Sequence, residues 1–239
     1  MTDRGVWPDD TRGIVDPGAM RRIVDFARYP AGDALEGVID WFWSVSWTLP
    51  DGVVHDQEVL NHPGGHISIG TVDDTGVPLD PAQGRVYGVL TGVSNRRLTG
   101  SGWTVAAKTT TGGLGVLIDR PAREITDQEL DLSAALPGLD GGRLVTDVRA
   151  ASDPTERVDL LRRALCSLPA DRDPTLVAEA RIIEAAEAAV DAVDLDDPND
   201  WSGWSTLSDR LGYADQAHLI RDFRLHLGTT PGQYRERNR

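Results

Sequence analysis

Between Ile39 and Trp47 a large apolar side chain recurs at every second position: Ile39, Trp41, Trp43, Val45 and Trp47, with Asp40, Phe42, Ser44 and Ser46 between them. A period of two puts each set on its own side of an extended chain, so the segment is expected to be a β-strand with a tryptophan-rich face. Further short strands are expected at Val53-Val54, Glu58-Val59-Leu60, His66-Ile67-Ser68-Ile69, Arg85-Val86-Tyr87-Gly88-Val89-Leu90 and Trp103-Thr104-Val105-Ala106-Ala107. Between them lie His62-Pro63-Gly64-Gly65, Asp73-Asp74-Thr75-Gly76 and Leu98-Thr99-Gly100-Ser101-Gly102, stretches rich in residues that favour turns. Short strands at this spacing predict an antiparallel β-rich domain over about residues 1–150. Three tryptophans on one strand face, with Trp103 joining from another strand, are expected to form an aromatic wall that is either plain core or the lining of a small-molecule pocket.

The period then changes. Asp153-Pro154 supplies a helix cap followed by proline at the first helical position, and Val158, Leu161 and Leu165 make one apolar stripe with Cys166 at its edge. Connecting helices are expected from there to about residue 200. From Trp204 to Arg239 the pattern reads as helix, tight turn, helix and a capped short helix. Gly212 suits a helix C-terminus, Asp215 suits the start of the next helix, and Thr230-Pro231 restarts the chain after Leu227-Gly228. On the second helix Leu219, Phe223 and His226 share a narrow arc, while Ala217, Ile220, Arg221 and Arg224 point the other way.

The run GYADQAHLIRDFRLHLGTTPGQYR resembles the second helix-turn-helix of the AraC family of bacterial transcription regulators, with Gly212, Tyr213, Gln216, His218, Arg221, Phe223, Gly228, Pro231, Tyr234 and Arg235 matching in order and spacing. The resemblance implies that Gln216, Ala217, Ile220 and Arg221 reach bases or nearby phosphates, with Arg224 and Arg235 nearer the DNA backbone. It is looser in the amino-terminal half. There Tyr29-Pro30, the Trp-rich strand, Glu58-Val59-Leu60 with Pro63, Val86-Tyr87-Gly88 and the run Arg120 to Asp127 follow the order seen in one group of AraC-like regulators. In that family such domains sense a small molecule, pair subunits, or both.

One departure concerns the first of the family's two helix-turn-helix units. The stretch from Asp173 to Ala180 reads like its approach, yet no second Gly-aromatic turn with a following Arg-x-Phe occurs between residues 170 and 203. Charge agrees. Residues 171–200 hold ten acids against two arginines, net −8, whereas residues 201–239 hold six arginines against four acids, net +2. On a chain of formal net charge −14, one mildly basic reader should bind DNA weakly alone, so a homodimer is expected. The other basic stretch, from Arg85 to Lys108 with Arg96 and Arg97 and no acid, reads as a solvated sheet edge.

With 239 residues and 40% hydrophobic content, two domains with real cores are expected. The single Cys166 excludes an intrachain disulfide framework, and no signal peptide or bilayer-spanning run is visible, which predicts a cytoplasmic protein with no membrane partner. No phosphate-cradling glycine motif, nucleophile elbow or metalloprotease string is present, so no enzyme and no cofactor are expected. His55, His62 and His66 are close in sequence but lack a glutamate and a distant histidine at a ligand spacing, and no metal site is expected. The chain is thus read as an α+β regulator: a β-rich sensing or dimerisation domain over about 1–150, connecting helices over 151–200 and an all-α helix-turn-helix domain over 201–239 that binds double-stranded DNA, responsive to a small-molecule effector. The competing reading is a ligand-binding or dimerising protein whose remnant helix-turn-helix does not touch DNA.

Overall fold

A computed structural model describes Ile14, residues 17–59, 64–73, 75–91 and 94–168, and near the carboxy terminus Asp215, Ala217, Ile220 and Arg221. Six strands form one antiparallel sheet in the order β1 (Val24–Pro30), β2 (Ile39–Thr48), β7 (Ser101–Thr109), β4 (His66–Val72), β5 (Pro78–Tyr87), β8 (Glu129–Asp131). The remaining two, β3 (Val54–Val59) and β6 (Ser94–Thr99), pair with each other as a separate ribbon. The antiparallel β-rich amino-terminal region is therefore as the period-two pattern predicts. Val53-Val54 and Glu58-Val59-Leu60 are not two strands: Val54 to Val59 runs unbroken, with Val53 just before it.

Each main strand sends alternate side chains to the two sides of the sheet. One side takes Phe42, Ile67, Ile69, Val86 and Val105, all essentially inaccessible, and is covered by the helices. These are α2 (Gly113–Ile118), α3 (Leu132–Ala135), α4 (Gly141–Ala150) and α5 (Pro154–Cys166), preceded in the chain by a short α1 (Pro17–Arg21) near the sheet edge. The other side faces the β3–β6 ribbon across a cleft-like cavity. A bridge between Ile14 and Val59 ties the segment before α1 to the ribbon, and Ile14, Met20, Val24, Trp47 and Leu98 form a second, smaller core at that end.

α5 starts as the sequence dictates. The Asp153 carboxylate accepts from the Thr155 and Glu156 amides, Pro154 opens the helix, and Val158, Leu161 and Leu165 are buried against β2 and β7. Because those three belong to the same core as Phe42, residue 150 is not the edge of this packed unit, which runs on through Leu168. Cys166, the last residue of α5, is exposed. The connecting helices and helix-turn-helix expected between residues 169 and 239 lie outside the described residues, except that Ala217, Ile220 and Arg221 have helical backbone. Among the described residues no helix is long and apolar enough to cross a membrane.

Candidate functional site

The cavity between sheet and ribbon consists of two adjoining voids, of about 170 and 140 Å³, that share Trp43, His66 and Arg96 as common wall. The register of β2 explains how Trp43 comes to face it. Trp41, Trp43, Val45 and Trp47 occupy one parity of the strand, while Phe42 and Ser44 occupy the other and point into the helix-covered core. Ser44 is tolerated there because its hydroxyl meets the Tyr29 hydroxyl at 3.3 Å. Ile39 departs from the expected face: a bulge between Ile39 and Trp41 shifts the register by one and turns Ile39 into the same core as Phe42.

The four tryptophans therefore separate. Trp41 and Trp43 are half-buried in the cavity wall, and Trp47 seals its end, with its indole N–H donating to the Thr99 carbonyl at 3.1 Å. Gly102 lies so close beneath the Trp47 ring that a Cβ there would come within 2.4 Å of it. Trp103 does not join the wall. It pairs with Ser46 in the sheet, and directly paired residues share a side, so it packs on the helix side under the Arg157 guanidinium, 4.0 Å from its ring centre.

The cavity's polar groups come from strands whose chemistry the sequence pattern hides. In the larger void Arg85 donates to Glu129 at 2.6 Å and also contacts Gln83, while Arg96 stands 5.1 Å over the Tyr87 ring. Burial, reinforced by Glu129, pushes the Tyr87 hydroxyl up to about 12, against the opposing pull of Arg85 and a hydrogen bond with Ser68. Burial also pushes the Arg96 guanidinium below its ordinary value, partly countered by Glu129. In the smaller void Arg28 lies 4.4 Å over Trp41 and Lys108 lies 4.7 Å from the same ring. Lys108 is only 5% exposed and pairs with Asp40 at 3.1 Å. Trp43 in turn packs edge-on to His66, their ring centres 6.3 Å apart.

The solvated-edge reading of the stretch from Arg85 to Lys108 is corrected by this arrangement. Because β6 pairs with β3 rather than joining the main sheet, the ribbon folds across the tryptophan face and turns Arg96 and Leu98 inward. Only the other parity points out, where Arg97 pairs with Asp56 at 2.8 Å. The missed cavity residues are thus Arg28, Arg96, Lys108 and Tyr87. The absence of any acid from Arg85 to Lys108 was the available signal, and its direction needed the ribbon's position.

Residues 27–131 match a domain of unknown function (DUF6597). The match covers less than half of the chain. It starts within β1 and ends with β8, so it takes in the rest of the sheet and the ribbon and stops before α3. No curated protein and no solved structure matches the chain.

Of the residues expected to contact DNA, Ala217 and Arg221 are exposed and Ile220 is half-buried. Gln216, Arg224 and Arg235 lie outside the described residues. His66 is in the cavity wall, His55 pairs with the Gln57 side chain at 3.2 Å, and His62 is outside the described residues. Among the described residues no group of three or more His, Cys, Asp or Glu side chains is placed to hold a metal ion.

Proposed function

We propose that the protein is a sequence-specific, DNA-binding transcription regulator of AraC type, whose β-rich domain senses a small molecule in the cavity between sheet and ribbon. The observation that carries the DNA-binding half is the ordered agreement of the run from Gly212 to Arg235 with the family's second helix-turn-helix. The helical backbone at Ala217, Ile220 and Arg221, with Ala217 and Arg221 exposed, supports it, because a reader must keep that side accessible. The aromatic-walled cavity supports the sensing half. A homodimer places two readers on one duplex and offsets the weak affinity of one basic end on an acidic chain. The site of action is the cytoplasm, where the DNA is.

A second reading, a ligand-binding or dimerising protein whose remnant helix-turn-helix does not bind DNA, is favoured by the net charge of −14 and the single recognisable reader. Fluorescence anisotropy on a labelled duplex from the promoter of a neighbouring operon separates the two. Arg221→Ala should weaken binding by roughly 1–3 kcal/mol if Arg221 reads a base. Affinity unchanged by that substitution, in a variant that melts like the parent, favours the second reading.

A further inference from the structure

The two voids between sheet and ribbon form one space with two different ends. Trp43, Val45, Val59, His66, Arg96 and Leu98 line both, so the voids meet along a shared waist. Their volumes of about 170 and 140 Å³ together come up to the low end, ~300 Å³, of ordinary small-molecule pockets.

The smaller end offers almost wholly apolar surface, and Ile14, Met20, Phe26 and Trp41 line it and not the other. The cations in its wall do not change that character. Arg28 and Lys108 lie 4.4 and 4.7 Å from the Trp41 ring, and Lys108 pairs with Asp40 at 3.1 Å. The larger end is built differently. Ser68 and Gly70 from β4 and Thr104 from β7 give it a floor of short side chains, while Gln83, Arg85 and Tyr87 from β5 and Glu129 from β8 supply donors and acceptors. Its charges are of both signs and are matched, Arg85 with Glu129 at 2.6 Å and Arg97 with Asp56 at 2.8 Å.

A ligand that fills this space must be apolar at one end and hydrogen-bonding at the other. Ion pairs already made within the protein gain little from a further charge, and desolvating that charge is costly. A neutral group with both a donor and an acceptor can bond to either member of such a pair.

We infer that the cavity binds a neutral amphipathic molecule spanning both voids, with an apolar ring or chain among Phe26, Trp41 and Trp43 and an amide or hydroxyl head beside Arg85, Tyr87 and Glu129. The ligand class rests on the reading of this cavity as the sensing site and not on DNA binding.

The test is isothermal titration calorimetry of the full chain at pH 7 with four probes: 4-phenylbutanamide, the matching carboxylate 4-phenylbutanoate, the matching amine 4-phenylbutylamine, and butanamide, which keeps the head and lacks the ring. 4-Phenylbutanamide should bind saturably, about tenfold or more tighter than either charged probe and about tenfold or more tighter than butanamide. Phe26→Ala at the apolar end and Ser68→Leu at the polar end should each weaken it by about tenfold or more, in variants shown to be folded by their melting curves. If one variant does not fold, the other and the probe series on the parent protein still decide.

A charged probe that binds at least as tightly as 4-phenylbutanamide overturns the neutral head, and butanamide binding as tightly overturns the apolar end; both results leave a ligand cavity in place. Binding of 4-phenylbutanamide that neither folded variant weakens overturns its placement across the two voids. Failure of all four probes at millimolar concentration overturns both the inference and the reading of the cavity as a ligand site.

Discussion

Single residues in the cavity make commitments that solution chemistry can check. Tyr87 ionises near 10.0 in an unfolded chain and at about 12 in the folded one, so the folded state holds its proton more tightly. Its contribution is therefore fully present below pH ~10 and is lost as pH rises toward 12. Melting temperatures taken between pH 9 and 11 should fall more steeply for the parent protein than for Tyr87→Phe. Gly88 makes a second commitment, because a Cβ there would come within 1.7 Å of the Ile125 carbonyl oxygen. Gly88→Ala should cost at least about 1–3 kcal/mol in a denaturant titration, since backbone rather than a flexible side chain has to yield. The strings Val86-Tyr87-Gly88 and Arg120 to Asp127, which stand apart in the sequence, are thus brought together at Gly88 and Ile125, and the Gly88 amide donates to the carbonyl of Gln128, just past the second string, at 2.9 Å. At this scale the sequence revealed Trp41, Trp43 and Trp47 as a set, since period two is a property of the strand itself. It did not reveal that Trp103 lies on the opposite side, which depends on cross-strand register.

Among the elements, strands with one strict parity and helices with a cap were legible, and those shaped by distant partners were not. β2 follows its pattern from Trp41 on and α5 follows its own, down to the Asp153 cap and the Val158, Leu161 and Leu165 stripe. β6, with Asn95, Arg96 and Arg97 in succession, has no alternating apolar set, and its pairing with β3 is what turns Arg96 inward. β1 was missed for a similar reason: its inner positions on the two sides are Phe26 and Arg28 against Ala27 and Tyr29, so no contrast in polarity survives. The packing of α5 on β2 and β7 carries its own expectation. Leu161 is fully buried, so Leu161→Ala should destabilise the β-rich unit by about 2–5 kcal/mol. Cys166→Ser, at an exposed position, should stay within about 0.5 kcal/mol. A chain ended at residue 150 should lose the cooperative unfolding transition that one ended at residue 168 keeps, as read by circular dichroism.

In the whole molecule a β-rich chamber with an aromatic wall precedes a carboxy-terminal segment whose sequence is patterned as a DNA reader. The chamber was only half legible in advance: tryptophan periodicity pointed to a wall, while the ribbon that encloses the space is a matter of topology. The match of residues 27–131 to a domain of unknown function coincides with that chamber and says nothing about the reader. The central claim is that the protein binds DNA, and phosphate neutralisation gives that claim a quantitative signature. The most direct measurement is the affinity of the parent protein for its promoter duplex and for a scrambled duplex of equal length across a series of salt concentrations. The account predicts that log affinity falls linearly with log salt on both duplexes, with the promoter bound more tightly throughout. No salt-dependent binding, or equal affinity for the two duplexes, would contradict it.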